Sequence, residues 1–157
     1  MIKSSALSNL LKKAIQNGIE SIFITKKSGD ILCVEGNDNN PTFNDVISSM
    51  WIEYEPTEES PFKGEKLNYL IIGNDDSNII MTNIYNYIIC MKSNKEMKLG
   101  LLKKHLESLT KNLNKMLEPF KDVFEKLNEK IKNDKIISII KFVKKSNTKW
   151  NRKHIYN

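Results

Sequence analysis

Residues 87–117 read YIICMKSNKEMKLGLLKKHLESLTKNLNKML, a short apolar run that passes through a polar turn into a long stretch with helical periodicity. Leu99, Leu102, Leu106, Leu109, Leu113 and Met116 recur at steps of three or four, which stacks them on one face of a helix. Lys103, Lys104, Glu107, Lys111 and Lys115 fall between them, so the other side is solvated and the leucine face needs a cover. A sheet that includes the run Tyr87–Met91 is the natural cover.

Upstream, Ser4 or Ser5 can cap a helix whose Leu7, Leu10, Leu11, Ala14 and Ile15 share a face, with Gly18 as a left-handed stop. Ile19–Thr25 and Ile31–Val34 flank the turn Lys27-Ser28-Gly29-Asp30 and read as a hairpin. After the break at Gly36 to Pro41, the residues Phe43, Val46, Ile47, Met50, Trp51 and Tyr54 return to helical spacing over Thr42–Tyr54, with Thr42 or Asn44 as candidate caps. Glu55–Glu65, with Pro56, Pro61, Gly64 and several acids, is an exposed loop. Leu67–Ile72, Ile79–Tyr85 and Tyr87–Met91 then form a three-stranded meander. The order is αββαβββα, an α+β domain with a five-stranded, mainly antiparallel sheet and helices on both faces.

Pro119 lacks a backbone donor and would clash with the carbonyl of Lys115, so the long helix ends or kinks there. Beyond it, residues 120–145 keep an amphipathic helical period through Phe120, Phe124, Leu127 and Ile131 to an apolar patch at Ile136–Val143. Lys132, Lys135, Lys141, Lys144 and Lys145 flank that patch and are candidate contacts to an anionic membrane or polyanion, against the plainer reading of a solvated lysine-rich helix. Residues 146–157 are polar and basic without a period, the pattern of a disordered tail. The expected divisions are therefore 1–119, 120–145 and 146–157.

The formal net charge is +6, and it is not evenly spread. Residues 1–120 hold 14 basic and 15 acidic side chains, whereas residues 121–157 hold 11 basic and 4 acidic ones. A folded part near neutrality is poorly suited to holding phosphates, so no direct nucleic-acid contact is expected of it. Cys33 and Cys90 lie in apolar runs and read as free thiols in a reducing compartment. Neither a signal peptide nor a run of roughly 18 apolar residues is visible, which points to a cytosolic or peripheral protein.

Little in the chain offers chemistry. His105 and His154 lie on a polar helix face and in the tail, with no orienting partner in prospect. The glycines are isolated at turns, and Asp75-Asp76 reads as a hydrated turn, so no catalytic residue, cofactor or metal is expected. Helix two is different. Its apolar stripe, with Phe43, Trp51 and Tyr54, is broader than a helix on a sheet requires, which suggests that part of it meets another molecule. The outer strand Leu67–Ile72 also leaves a sheet edge that needs a partner or protection.

The residues resemble the roadblock domain, nearest in wording to the roadblock adaptor subunit of the late-endosomal and lysosomal Ragulator scaffold. The likeness runs over about residues 5 to 119. It is carried by Ala6-Leu7 with Leu11 and Ala14, Gly18-Ile19 with Ser21, Gly29-Asp30-Ile31-Leu32, Ser49-Met50-Trp51 with Tyr54, and Leu67 with Ile71. Ile88-Ile89-Cys90-Met91, Gly100-Leu101-Leu102-Lys103 and Glu118-Pro119 complete it in order. The resemblance implies a roadblock/profilin-like fold and a non-enzymatic adaptor that pairs with a sister roadblock subunit through helix two and the third strand. In this chain that interface would be Val46, Ile47, Met50, Trp51 and Tyr54 with Leu67, Tyr69 and Ile71. It also implies a lipidated anchoring subunit as a further partner, Rag-type GTPases recruited for TOR signalling, and a role in MAP-kinase scaffolding. The location implied is the cytoplasmic face of late endosomes and lysosomes, with membrane association indirect. The alternative within the same family is a homodimer of the dynein light-chain or bacterial GTPase-regulating type. The extension beyond Pro119 departs from the compact family pattern.

Overall fold

The computed structural model describes residues 4–38, 40–123, 125–127, 129–130 and 133–134. The chain divides into two units, Met1–Leu117 and Glu118–Asn157. In the first, the elements are α1 (Ser4–Ala14), β1 (Ile19–Lys26), β2 (Ile31–Gly36), α2 (Pro41–Tyr54), β3 (Leu70–Gly73), β4 (Ser77–Ile84), β5 (Tyr87–Asn94) and α3 (Leu99–Leu117). The second opens with a 3-10 turn, Glu118–Phe120, and the described residues between 121 and 134 are helical. Lys132, Lys135, Lys141, Lys144, Lys145 and residues 146–157 lie outside the described residues.

All five strands join one antiparallel sheet in the order β2-β1-β5-β4-β3. The hairpin β1–β2 thus lies beside the meander β3–β4–β5, with β1 and β5 central and β2 and β3 at the edges. Alternation along each strand sorts the core into two layers. Phe23, Ile79, Met81, Ile88 and Cys90 point to one face and are closed over by Ile47 and Trp51 of α2. Their neighbours in register, Ile22, Ile24, Ile80, Ile89 and Met91, point to the other, where α1 and α3 supply Leu7, Leu11, Leu102, Leu106, Leu109 and Leu113.

Local chemistry explains the element ends, with some departures from expectation. Asn40, not Thr42 or Asn44, caps α2: its side-chain oxygen accepts from the Thr42 N–H at 3.1 Å, and Pro41 follows with its φ already helical. Asn44 is instead buried under the helix. On α3 the covered face is Leu102, Leu106, Leu109, Leu113 and Leu117, while Leu99 is exposed and Met116 only half-buried. The first leucine stands in the opening turn, short of the sheet, and the drift of a 3.6-residue period brings Leu117 rather than Met116 onto the covered face. The outer strand begins at Leu70, three residues later than its apolar run. Gly36, at φ 111°, is required where it stands, because a Cβ there would lie 2.2 Å from the Glu20 carbonyl oxygen on the neighbouring strand.

Candidate partner interface

The two helices and long leucine face on one side of the sheet leave α2 alone on the other. Its azimuth is set by contacts at both ends. Asp45 sits over Gly29 in the β1–β2 turn, and Glu55 at the C-terminus accepts from Lys27 Nζ at 2.5 Å. At the N-terminal end Lys92 of β5 donates to Asp38 at 2.7 Å, lies 4.0 Å from Glu20, and stands 5.9 Å from the centroid of Phe43, whose ring packs 5.0 Å from that of Phe23. The hydrogen bond from Lys92 holds the Asp38 carboxyl below its ordinary range, and the same bond raises the lysine.

The Asp45 flank is turned toward the β1–β2 turn, and the opposite flank of the helix is turned away from it. That flank carries Phe43, Val46, Met50 and Tyr54. Phe43 and Met50 are half-buried and pack against the same core cluster as Leu67, Leu70 and Ile72, so the margin of α2 and the inner side of β3 share one apolar seam. Along it Val46 is 47% exposed and Tyr54 59% exposed. Beside the seam runs the outer edge of β3, which among the described residues pairs with β4 alone.

The residues expected at a partner surface separate accordingly. Val46, Met50 and Tyr54 lie on the open flank, Leu67 is half-buried at its end, and Ile71 on the edge strand is 42% exposed. Ile47 and Trp51 do not belong there: at 1% and 0% exposure they are the centre of the core beneath α2, since a helix lying flat on a sheet must point its heaviest side chains inward. Tyr69 turns to the α3 face, where its hydroxyl donates to Glu107 at 3.3 Å and its ring lies 5.0 Å from Lys103 Nζ. Burial and the Glu107 charge together raise that phenol above its ordinary range. Sequence reasoning missed Ile52 and Phe62, both more than half exposed. Phe62 had a visible signal, an aromatic between Pro61 and Gly64 in an acidic loop that gives it nothing to pack on.

Three buried side-chain atoms lack a hydrogen-bond partner among the described residues: Ser21 Oγ, Asn44 Oδ1 and Trp51 Nε1. All three lie between α2 and the sheet. Cys33 is half-buried and Cys90 fully buried, both are free, and burial pushes both thiols up. Asp75 and Asp76 form the exposed β3–β4 turn, organised by Asn74, whose side-chain oxygen accepts from the backbone N–H of Asp76 at 3.0 Å and of Ser77 at 2.7 Å. Among the described residues no group of three or more His, Cys, Asp or Glu side chains could hold a metal ion, and no helix is long and apolar enough to cross a membrane.

No family model matches the sequence. Among solved structures the fold is shared with Myxococcus xanthus MglB, at a TM-score of 0.64 and 14% identity over 76% of this chain and 94% of that one. It is also shared with an MglB in a tetrameric arrangement, at 0.63 and 10% identity over 74% and 90%. The roadblock/LC7 domain from Streptomyces avermitilis matches at 0.56 and 14% identity over 72% and 95%. The architecture is that of a roadblock/LC7 domain, with the five-stranded antiparallel sheet and helices expected of it.

Proposed function

We propose that this protein is a non-enzymatic adaptor that pairs with a second roadblock-fold chain through the open flank of α2 and the edge of β3. One observation carries the reading. The half-buried seam of Met50, Leu67, Leu70 and Ile72 is bordered by exposed Val46 and Tyr54, and runs beside the outer edge of β3, whose Ile71 is exposed on the opposite face of the sheet. A second chain laid edge to edge would continue the sheet and cover the seam at once.

The finer form of the proposal follows the resemblance. The partner is a sister roadblock subunit, and the pair sits on late endosomes or lysosomes through a lipidated scaffold subunit. There it recruits Rag-type GTPases for TOR signalling, with MAP-kinase scaffolding as a further role. The homodimeric reading is supported by the similarity to an MglB described in a tetrameric arrangement. Light scattering on the pure chain, with and without a co-expressed sister subunit, separates the two: a stable homodimer indifferent to the sister subunit favours self-pairing. Val46→Asp and Tyr54→Asp place charges on exposed positions of the seam and are expected to weaken pairing by about 2 kcal/mol or more each without unfolding the chain. Pairing that survives both substitutions, read by co-purification, removes the α2 flank from the interface.

A further inference from the structure

The sheet is incomplete at one corner. β4 pairs with β5 along its whole length, from Ser77↔Asn94 to Ile84↔Tyr87, but β3 covers it only from Asn78 to Met81. Among the described residues, Thr82, Asn83 and Ile84 therefore have a strand neighbour on one side alone. The segment leading into β3 leaves the ladder here, tied back by the Thr82 hydroxyl donating to the Asn68 carbonyl at 2.8 Å.

The space so opened is a cleft of about 410 Å³ between these residues, Lys66, Tyr69 and the α3 side chains Thr110 and Asn114. That volume lies within the roughly 300–1,000 Å³ of ordinary ligand clefts. Tyr85 closes one end and holds φ 53°, a left-handed conformation unusual for a bulky side chain at a hairpin position that glycine normally fills. Strain of this kind persists where surrounding structure fixes it, commonly at binding sites.

The lining tells what would fit. It is mostly hydroxyl and amide, and Lys66 is the one charged residue among those that wall it. Lys111 stands one turn from both Glu107 and Asn114, and Lys103 lies 3.9 Å from Glu107. The Glu107 carboxylate is engaged by Lys103 and by the Tyr69 hydroxyl, so the rim is left basic. We infer that this cleft takes an extended acidic peptide segment of a partner protein, which adds as a short strand to Thr82–Ile84. Backbone pairing to the one-sided end of β4 supplies the fit, and the lysines select the charge. The site lies on the α3 face and depends on neither the α2 seam nor pairing with a second roadblock chain.

Panning the full-length chain with a phage-displayed library of random short peptides tests this. The enriched sequences are expected to be acidic, and the best of them, bound as a synthetic peptide, slows amide hydrogen exchange at Thr82–Ile84. Lys66→Glu and Asn114→Glu, both at exposed positions, weaken that peptide about tenfold, while Asn112→Glu on the far side of α3 leaves it unchanged. The inference is overturned by no enrichment, by basic or apolar consensus sequences, or by sequences that copy a stretch of this chain. Unchanged exchange at Thr82–Ile84, or equal weakening by Asn112→Glu, overturns it as well.

Discussion

The two faces of the sheet are built to different standards. On the α1/α3 face a 19-residue helix lays five leucines along the strands, and the buried polar groups there have partners: Asn78 donates to the Met97 carbonyl and Thr82 to that of Asn68. On the α2 face a single 14-residue helix covers the centre of the sheet, its outer flank stays open, and all three orphaned polar atoms are trapped beneath it. A buried polar atom without a partner costs stability that a methyl group in the same place would not. Away from the cleft beside Thr82–Ile84 the α1/α3 face is finished within the chain, whereas the α2 face trades completeness for a surface that a second molecule can cover.

Substitutions on the two faces test that contrast. The largest effects come from the centres of both layers: Leu106→Ala is expected to cost about 2–5 kcal/mol and Trp51→Ala about 3–5 kcal/mol in urea unfolding, because each side chain is fully buried. A small loss for Trp51→Ala would mean that α2 is not a closed lid on the core. Asp38→Asn probes the clamp at the start of α2. The lowered carboxyl contributes stability above the ordinary carboxylate range and loses it as pH falls through its depressed value, while the raised lysine contributes until pH climbs through its own. The gap between wild type and Asp38→Asn should be flat from roughly pH 5 to pH 9 and shrink in acid. A gap that persists at low pH would make the clamp steric.

Thr82→Val, on the α1/α3 face, removes a 2.8 Å hydrogen bond and should cost about 1 kcal/mol. Ser21→Ala, on the α2 face, removes an orphaned hydroxyl and should be neutral or slightly stabilising. If the two behaved alike, the difference in polar satisfaction between the faces would carry no energy.

Much of this architecture is legible in the chain. Period-two runs separated by Gly-, Asn- and Asp-rich turns mark the strands, and leucines at steps of three and four mark α3, because alternation and helical spacing are local properties. Which strands become neighbours is not local. Nothing between Ile19 and Asn94 announces that β1 lies against β5. The same limit explains Trp51: spacing puts it on a stripe with Val46 and Tyr54, but only the docking of α2, pinned by Asp45 and Glu55, decides which side of a wide stripe points down. The cleft beside Thr82 is illegible for a related reason, since an apolar run beginning at Leu67 gives no sign that pairing starts at Leu70.

The order of strands also has a consequence for synthesis. Because Ile19 pairs with Ser93 and Lys26 with Tyr87, the middle of the sheet joins the first strand made to the last. Until residue 94 leaves the ribosome, β1 and β4 each present an uncovered long edge, and the hairpin and meander cannot merge. A nascent chain stalled before β5 exposes the apolar strands that the finished domain buries, so the interval between making β4 and completing β5 is when this protein has most need of a chaperone.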